Sequence, residues 1–226
     1  KRNWLATMLL AALPFAAMAQ EDPLYRMEVG GTLGLVSYVG DFNSGIFSGA
    51  QPLGGLVLRR VINPYMALRL AAFAGKIKGS SQANDTYYPA YAASPYHFNR
   101  RLVDVSVAYE HNFWPYGTGR DYRGAQPLTP FILGGAGLTL VNGGPKSVAT
   151  ANLFLGVGAK YKLAERLNIA LEWTMHFATS DNLDGVADPY TVPSTGMFKN
   201  RDGYSALTLS LTYSFMAKCR TCNKDD

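Results

Sequence analysis

Leu207-Thr208-Leu209-Ser210-Leu211-Thr212-Tyr213-Ser214-Phe215 alternates large apolar residues with small hydroxylated ones without a break. Successive side chains of a strand point to opposite faces, so this segment has one face of leucine and aromatic rings and one of hydroxyls. Working back along the chain, the same grammar recurs. Leu167, Ile169, Leu171, Trp173, Met175 and Phe177 oppose Glu172, Thr174 and His176, and Leu153, Leu155, Val157, Ala159 and Tyr161 oppose Asn152, Gly156, Gly158, Lys160 and Lys162. Val103, Val105, Val107, Tyr109 and Phe113 oppose Asp104, Ser106, Ala108, Glu110 and Asn112. Weaker alternation, interrupted by small residues, spans about 24–39, 52–62, 65–78 and 130–142. Eight strands are thus expected. The composition of the 226 residues agrees: 48% hydrophobic and only 16% charged excludes a disordered chain. No apolar run after the N-terminus is long enough for a membrane helix.

What each face meets decides the class. The water-facing side of a soluble β-sandwich carries many Lys and Glu. Here the polar face is mostly Gly, Ala, Ser and Thr with single charges, a set small enough to fill a narrow eight-stranded barrel. Strands of ten to sixteen residues also suit a tilted membrane crossing. The expected fold is all-β, an eight-stranded antiparallel up-and-down transmembrane β-barrel with its apolar face in lipid. Long segments (40–51, 79–99 and the stretch ending at Gly203) alternate with tight turns at Asn63-Pro64 and Ala164-Glu165-Arg166. Between them come an intermediate link, 117–126, and a short loop, 142–149, so that long and short alternate with one soft spot. Outer-membrane barrels show such asymmetry, with short turns on the periplasmic side. The expected location is the outer membrane of a Gram-negative bacterium, with both termini periplasmic. Tyr25, Tyr38, Phe42, Tyr65, Phe113, Trp114, Tyr116, Phe131, Tyr204 and Phe215 lie near strand ends and are expected as interfacial girdles.

The first residues are basic, 4–17 are apolar, and Ala17-Met18-Ala19 has the small-x-small form of a cleavage site. Residues 1–19 are therefore expected to be a signal peptide, 20–217 the barrel and 218–226 a periplasmic tail. Removing 1–19 lowers the formal net charge of +5 by two, and no basic tract remains to bind nucleic acid.

No cofactor or metal motif stands out. Gly134-Gly135-Ala136-Gly137 sits within a strand, with no following helix to hold a phosphate. Arg59, Arg69, Glu110, Lys160, Glu172 and His176 are expected to form a polar network in the lumen, with Glu172 paired to Arg59, Arg69 or Lys160, because an unpaired charge there is costly. Glu172, Thr174, His176 and Ser180 resemble parts of a hydrolase site, but they face the lumen and not lipid, so no catalytic residue is assigned. His111 shares the lipid-side register of the fourth strand, and His97 is expected in an external loop. Eight strands leave no continuous channel, and no small-molecule substrate is indicated. The charged link Arg120-Asp121-Tyr122-Arg123 is long for a periplasmic turn and reads as a solvated turn or a docking surface. In the tail, Cys219 and Cys222 are open to a local disulfide, a bond to another protein, or a metal.

Glu28-Val29-Gly30-Gly31 through Ser37-Tyr38-Val39-Gly40-Asp41-Phe42-Asn43, the hairpin from Arg60 to Arg69, Thr129-Pro130-Phe131-Ile132-Leu133-Gly134-Gly135 and the Cys-x-x-Cys tail together resemble the PorG-like outer-membrane barrels of the type IX secretion system. The resemblance spans most of the chain. It implies a structural role, contact with a periplasmic ring formed by a lipoprotein and its partner, and Cys219 and Cys222 as candidates for that link. A stand-alone OmpX-like barrel in adhesion or envelope integrity and a lipid-modifying hydrolase are the alternatives.

Overall fold

In a computed structural model of the protein, the described residues are 25–40, 46–81, 97–117, 125–144, 147–179, 183 and 202–217. They contain β1 (Tyr25–Val39), β2 (Gln51–Asn63), β3 (Met66–Ser80), β4 (His97–Asn112), β5 (Leu128–Asn142), β6 (Val148–Lys162), β7 (Leu167–Ala178) and β8 (Gly203–Ala217). Each strand pairs antiparallel with its sequence neighbour, and β1 closes on β8 from Tyr25↔Ala217 to Val39↔Gly203. The result is a closed barrel with no free sheet edge. The expected residues 20–24 of the barrel, the signal peptide and the tail lie outside the described residues. Both ends of the described chain reach the same rim, here called the terminal end; the opposite rim is the loop end.

Alternation sorts the side chains as the sequence leads one to expect. Leu33, Leu56, Leu138 and Leu155 are 72, 68, 65 and 67% exposed at mid-strand, while Arg59, Asp104, Glu110 and His176 are at most 2% exposed. This is the layering of a water-soluble protein turned inside out. A belt so apolar is stable in hydrocarbon, where a closed barrel satisfies every strand hydrogen bond internally. Strands of 12 to 16 residues tilted by about 45° reach ~28–37 Å along the axis, more than the ~25 Å apolar band of such barrels. The strand tips therefore stand proud of the hydrocarbon.

The lumen is more crowded than a lining of small residues suggests. Tyr38, Phe73, Ile77, Phe98, Leu102, Val141, Leu183 and Tyr204 form an apolar cluster at the loop end, and Phe131, Leu133 and Phe154 a second one deeper down. Three expected girdle residues, Tyr38, Phe131 and Tyr204, are buried in these clusters, while Tyr25 is buried under Glu165 and Arg166 and Tyr116 against Asn168 at the terminal end. Phe113 and Trp114 remain exposed and fit the girdle reading. Strand parity explains the difference at Tyr204, which is in phase with Thr208 and Ser210 and not with Leu207.

Glycine makes the room. Phe131 pairs with Gly158 and Phe154 with Gly135, so β5 and β6 exchange one ring each over a partner glycine. A Cβ on Gly158 would lie 2.6 Å from the Phe131 ring and 2.6 Å from the Leu171 carbonyl oxygen. His97, expected in a loop, is instead the exposed first residue of β4, because β3 and β4 pair as far as Ser80↔His97.

Candidate functional site

Two polar layers cross the lumen. Toward the terminal end, β2 and β3 place Arg59 and Arg69 as cross-strand partners, two residues of like charge that need acids nearby. The adjoining β1 and β4, and β7 from across the lumen, supply them. Arg59 Nη1 lies 2.5 Å from Glu28 Oε2, and Arg59 Nε donates to Glu110 Oε2 at 2.8 Å. Lys160 also donates to Glu110 Oε2, Arg69 Nε lies 3.7 Å from Glu110 Oε1, and Arg69 Nη1 pairs with Glu172. Lys160 Nζ sits 4.4 Å over the Phe131 ring. Three carboxylates face three cations, with Glu110 as the hub reached by all three. Of the three pairings considered for Glu172, Arg69 is the one formed.

The second layer lies toward the loop end. Asp104 Oδ2 accepts from Tyr204 at 2.8 Å, Thr139 at 2.9 Å and Asn152 at 2.7 Å. His176 belongs here and not with the charged residues among which the sequence places it. Its Nδ1 lies 3.2 Å from Asn152 Oδ1 and its Nε2 3.2 Å from Thr174 Oγ1. The ring is stacked between Phe154 and Tyr204, centroids 4.6 and 4.4 Å away. Glu172 is engaged by Arg69, Ser180 lies outside the described residues, and the imidazole is sealed from lipid by the strand that carries it. A cavity of about 20 Å³ between the layers, lined in part by Arg69, Glu172 and His176, has room for a water or two.

Both mouths are stoppered. At the loop end Leu183 is fully buried, its N–H donating to Asp202 Oδ2 at 2.8 Å and its carbonyl accepting from Arg100 Nη1 at 3.4 Å; Tyr38 donates to Asp202 Oδ1. At the terminal end the base of the β4–β5 connection folds under the barrel. Tyr116 N donates to Pro64 O at 3.1 Å, Lys162 N to Pro127 O at 2.8 Å and Asn112 Nδ2 to Pro64 O at 2.9 Å. Tyr116 donates its hydroxyl to Asn168 Oδ1 at 2.8 Å. Burial, reinforced by the Glu28 carboxylate, pushes the Tyr116 phenol up from its ordinary range, so it remains a donor. Arg120, Asp121, Tyr122 and Arg123 continue from this base, and they, like Cys219 and Cys222, lie outside the described residues.

Glu28, Asp104 and the stoppers are lumen residues that sequence reasoning did not select. The signal for the first two was present: an acid within a membrane strand is stable only on the inner face, and Asp104 shares the polar face of its strand with Glu110.

Fold and lumen together define a closed eight-stranded barrel of the outer-membrane type, with an apolar exterior and a packed, charge-balanced interior. The chain belongs to the family described as "Domain of unknown function (DUF6089)", whose model matches residues 3–224. No curated protein matches it. Solved structures similar to this chain include Neisserial surface protein A (NspA), at 13% identity and a TM-score of 0.48 over 84% of this chain and 97% of that one. Another is the outer membrane protein OprG of Pseudomonas aeruginosa, at 11%, 0.47, 88% and 99%. A third is Ail, the attachment invasion locus protein of Yersinia pestis, crystallised with the heparin analogue sucrose octasulfate, at 10%, 0.45, 84% and 99%.

Proposed function

We propose that this barrel is a non-enzymatic outer-membrane anchor for the periplasmic ring of a type IX-like protein secretion apparatus, with both termini in the periplasm. The observation that carries the reading is the construction of the two ends. A lumen filled along its length and stoppered at both mouths suits a fixed support better than a passage. The terminal end is braced by main-chain bonds between the β4–β5 connection, the β2–β3 turn and the end of β6. A braced rim is a good base for the segment 120–123, and β8 ends at the same rim, one residue before the tail that carries Cys219 and Cys222 begins in the sequence. The resemblance to PorG-like barrels supplies the partner class, a periplasmic lipoprotein and its ring.

Co-purification in mild detergent tests this. A periplasmic lipoprotein is expected to accompany the barrel, and a higher-mass species on non-reducing gels is expected to vanish in Cys219→Ser or Cys222→Ser. A barrel that runs alone, in a strain where the double cysteine variant secretes normally, refutes anchoring and leaves a stand-alone envelope barrel.

A further inference from the structure

Every carboxylate carried by the described strands, Glu28, Asp104, Glu110 and Glu172, is buried in the lumen. The outer face therefore holds cations with no acid from the same strands beside them. They are densest at the loop end of the β3–β4 hairpin. Lys76, Lys78 and Arg101 are exposed there, in alternation with the buried Ile77, Arg100 and Leu102. Lys76 is the cross-strand partner of Arg101, while Lys78 faces Asn99 and Arg101 faces Asn142 on β5. Like charges set opposite one another on a sheet repel. None of the three forms an ion pair with a described residue. An anion between them would relieve the repulsion.

Directly beneath, toward mid-barrel, the outer face thins. The outward residues of β3 change from Leu68 and Leu70 to Ala72 and Ala74, and the β2 partner of Ala74 is Gly54. Exposed Leu33 and Leu56 stand on one side of this strip and Val103 and Leu140 on the other. A shallow apolar furrow thus runs in line with the three cations, which sit where strand tips leave the hydrocarbon. Phosphate above and acyl chain below is the arrangement of a phospholipid.

We propose that Lys76, Lys78 and Arg101, with the furrow at Gly54, Ala72 and Ala74, form a binding site for a membrane lipid whose headgroup carries a phosphate monoester. The site requires the barrel to lie in a bilayer but is independent of the secretion role. Native mass spectrometry of the full chain, incubated with equal phosphatidic acid and phosphatidylcholine, tests it. The wild type is expected to retain phosphatidic acid in preference. Replacing the cations by Gln is expected to lower that retention about fivefold for each residue, and on the order of a hundredfold for K76Q/K78Q/R101Q together. R60Q, an exposed cation of the opposite rim, is expected to retain it normally. Should the triple variant fail to show the folded band on cold gels, the three single variants and the charge-preserving K76R/K78R pair carry the same comparison. Equal retention of both lipids by the wild type, or unchanged selectivity in the Gln variants, overturns the proposal. Displacement of phosphatidic acid by equimolar inorganic phosphate overturns it too, since the site would then take the free anion.

Discussion

Removing the hub of the lumen's charged layer is the sharpest test of how the barrel interior is held. Glu110 takes contacts from Arg59, Lys160 and Arg69, and is fully buried. Glu110→Gln keeps the shape and deletes the charge, leaving two carboxylates to face three cations in a space closed at both ends. Arg59 retains Glu28 and Arg69 retains Glu172, so the surplus falls mainly on Lys160. Breaking a buried pair by removing one partner costs about 3–5 kcal/mol, which lowers the folding equilibrium by roughly two to four orders of magnitude. The assay is urea unfolding in lipid vesicles followed by tryptophan fluorescence, with the folded band on cold gels as a second readout. Glu110→Gln combined with Lys160→Met restores the balance of two acids and two bases, and is expected to recover most of the loss, a coupling readable as a double-mutant cycle. If Glu110→Gln unfolds within about 1 kcal/mol of the wild type, or the double variant is as unstable as the single one, charge balance is not what holds this layer.

Gly158→Ala drives a methyl against both the Phe131 ring and the Leu171 carbonyl, and is expected to lose about 1–3 kcal/mol and refold in lower yield. Met216 near the end of β8 adopts φ of 60°, a conformation that glycine takes without steric penalty, so Met216→Gly is expected to raise stability by about 1 kcal/mol in the same urea titration. In planar bilayers the wild-type barrel is expected to show no discrete conductance steps. Leu183→Ala is expected to remain silent as well, because the Asp104 and Glu110 layers still cross the lumen below it; steps in either protein would refute the packed interior.

Strand number, order and facing were legible in the sequence because period-two alternation sustained over ten or more residues matches the geometry of a strand and of no helix. The contents of the lumen were legible only in part. Assigning rings to the membrane interface by residue type overrides parity, and parity is the stronger signal: Phe131 shares a face with Leu133 and Thr139, so it turns inward. The exchange of rings over Gly158 and Gly135 depends on register between β5 and β6, which no single strand encodes. The same holds for the charged layer. Arg59, Arg69, Glu110, Lys160 and Glu172 can each be placed on an inner face from sequence, but Glu110 as their meeting point emerges only when five strands are brought around a closed cylinder. His176 illustrates the converse, since it lies on the face of Glu172 yet one layer away, where the rise of the strand has carried it to Asn152 and Tyr204.

The charged layer also constrains the order in which this protein can be made. Its partners are far apart along the chain, 31 residues for Arg59 and Glu28, 50 for Lys160 and Glu110, and 103 for Arg69 and Glu172. In a partly assembled sheet, several of these groups have no counter-charge and can be stabilised only by water. Water therefore has to stay on the concave side until β1 reaches β8. Closure comes first and drying second, so any machinery that inserts this barrel must keep a wet compartment against the growing sheet until its seam is joined.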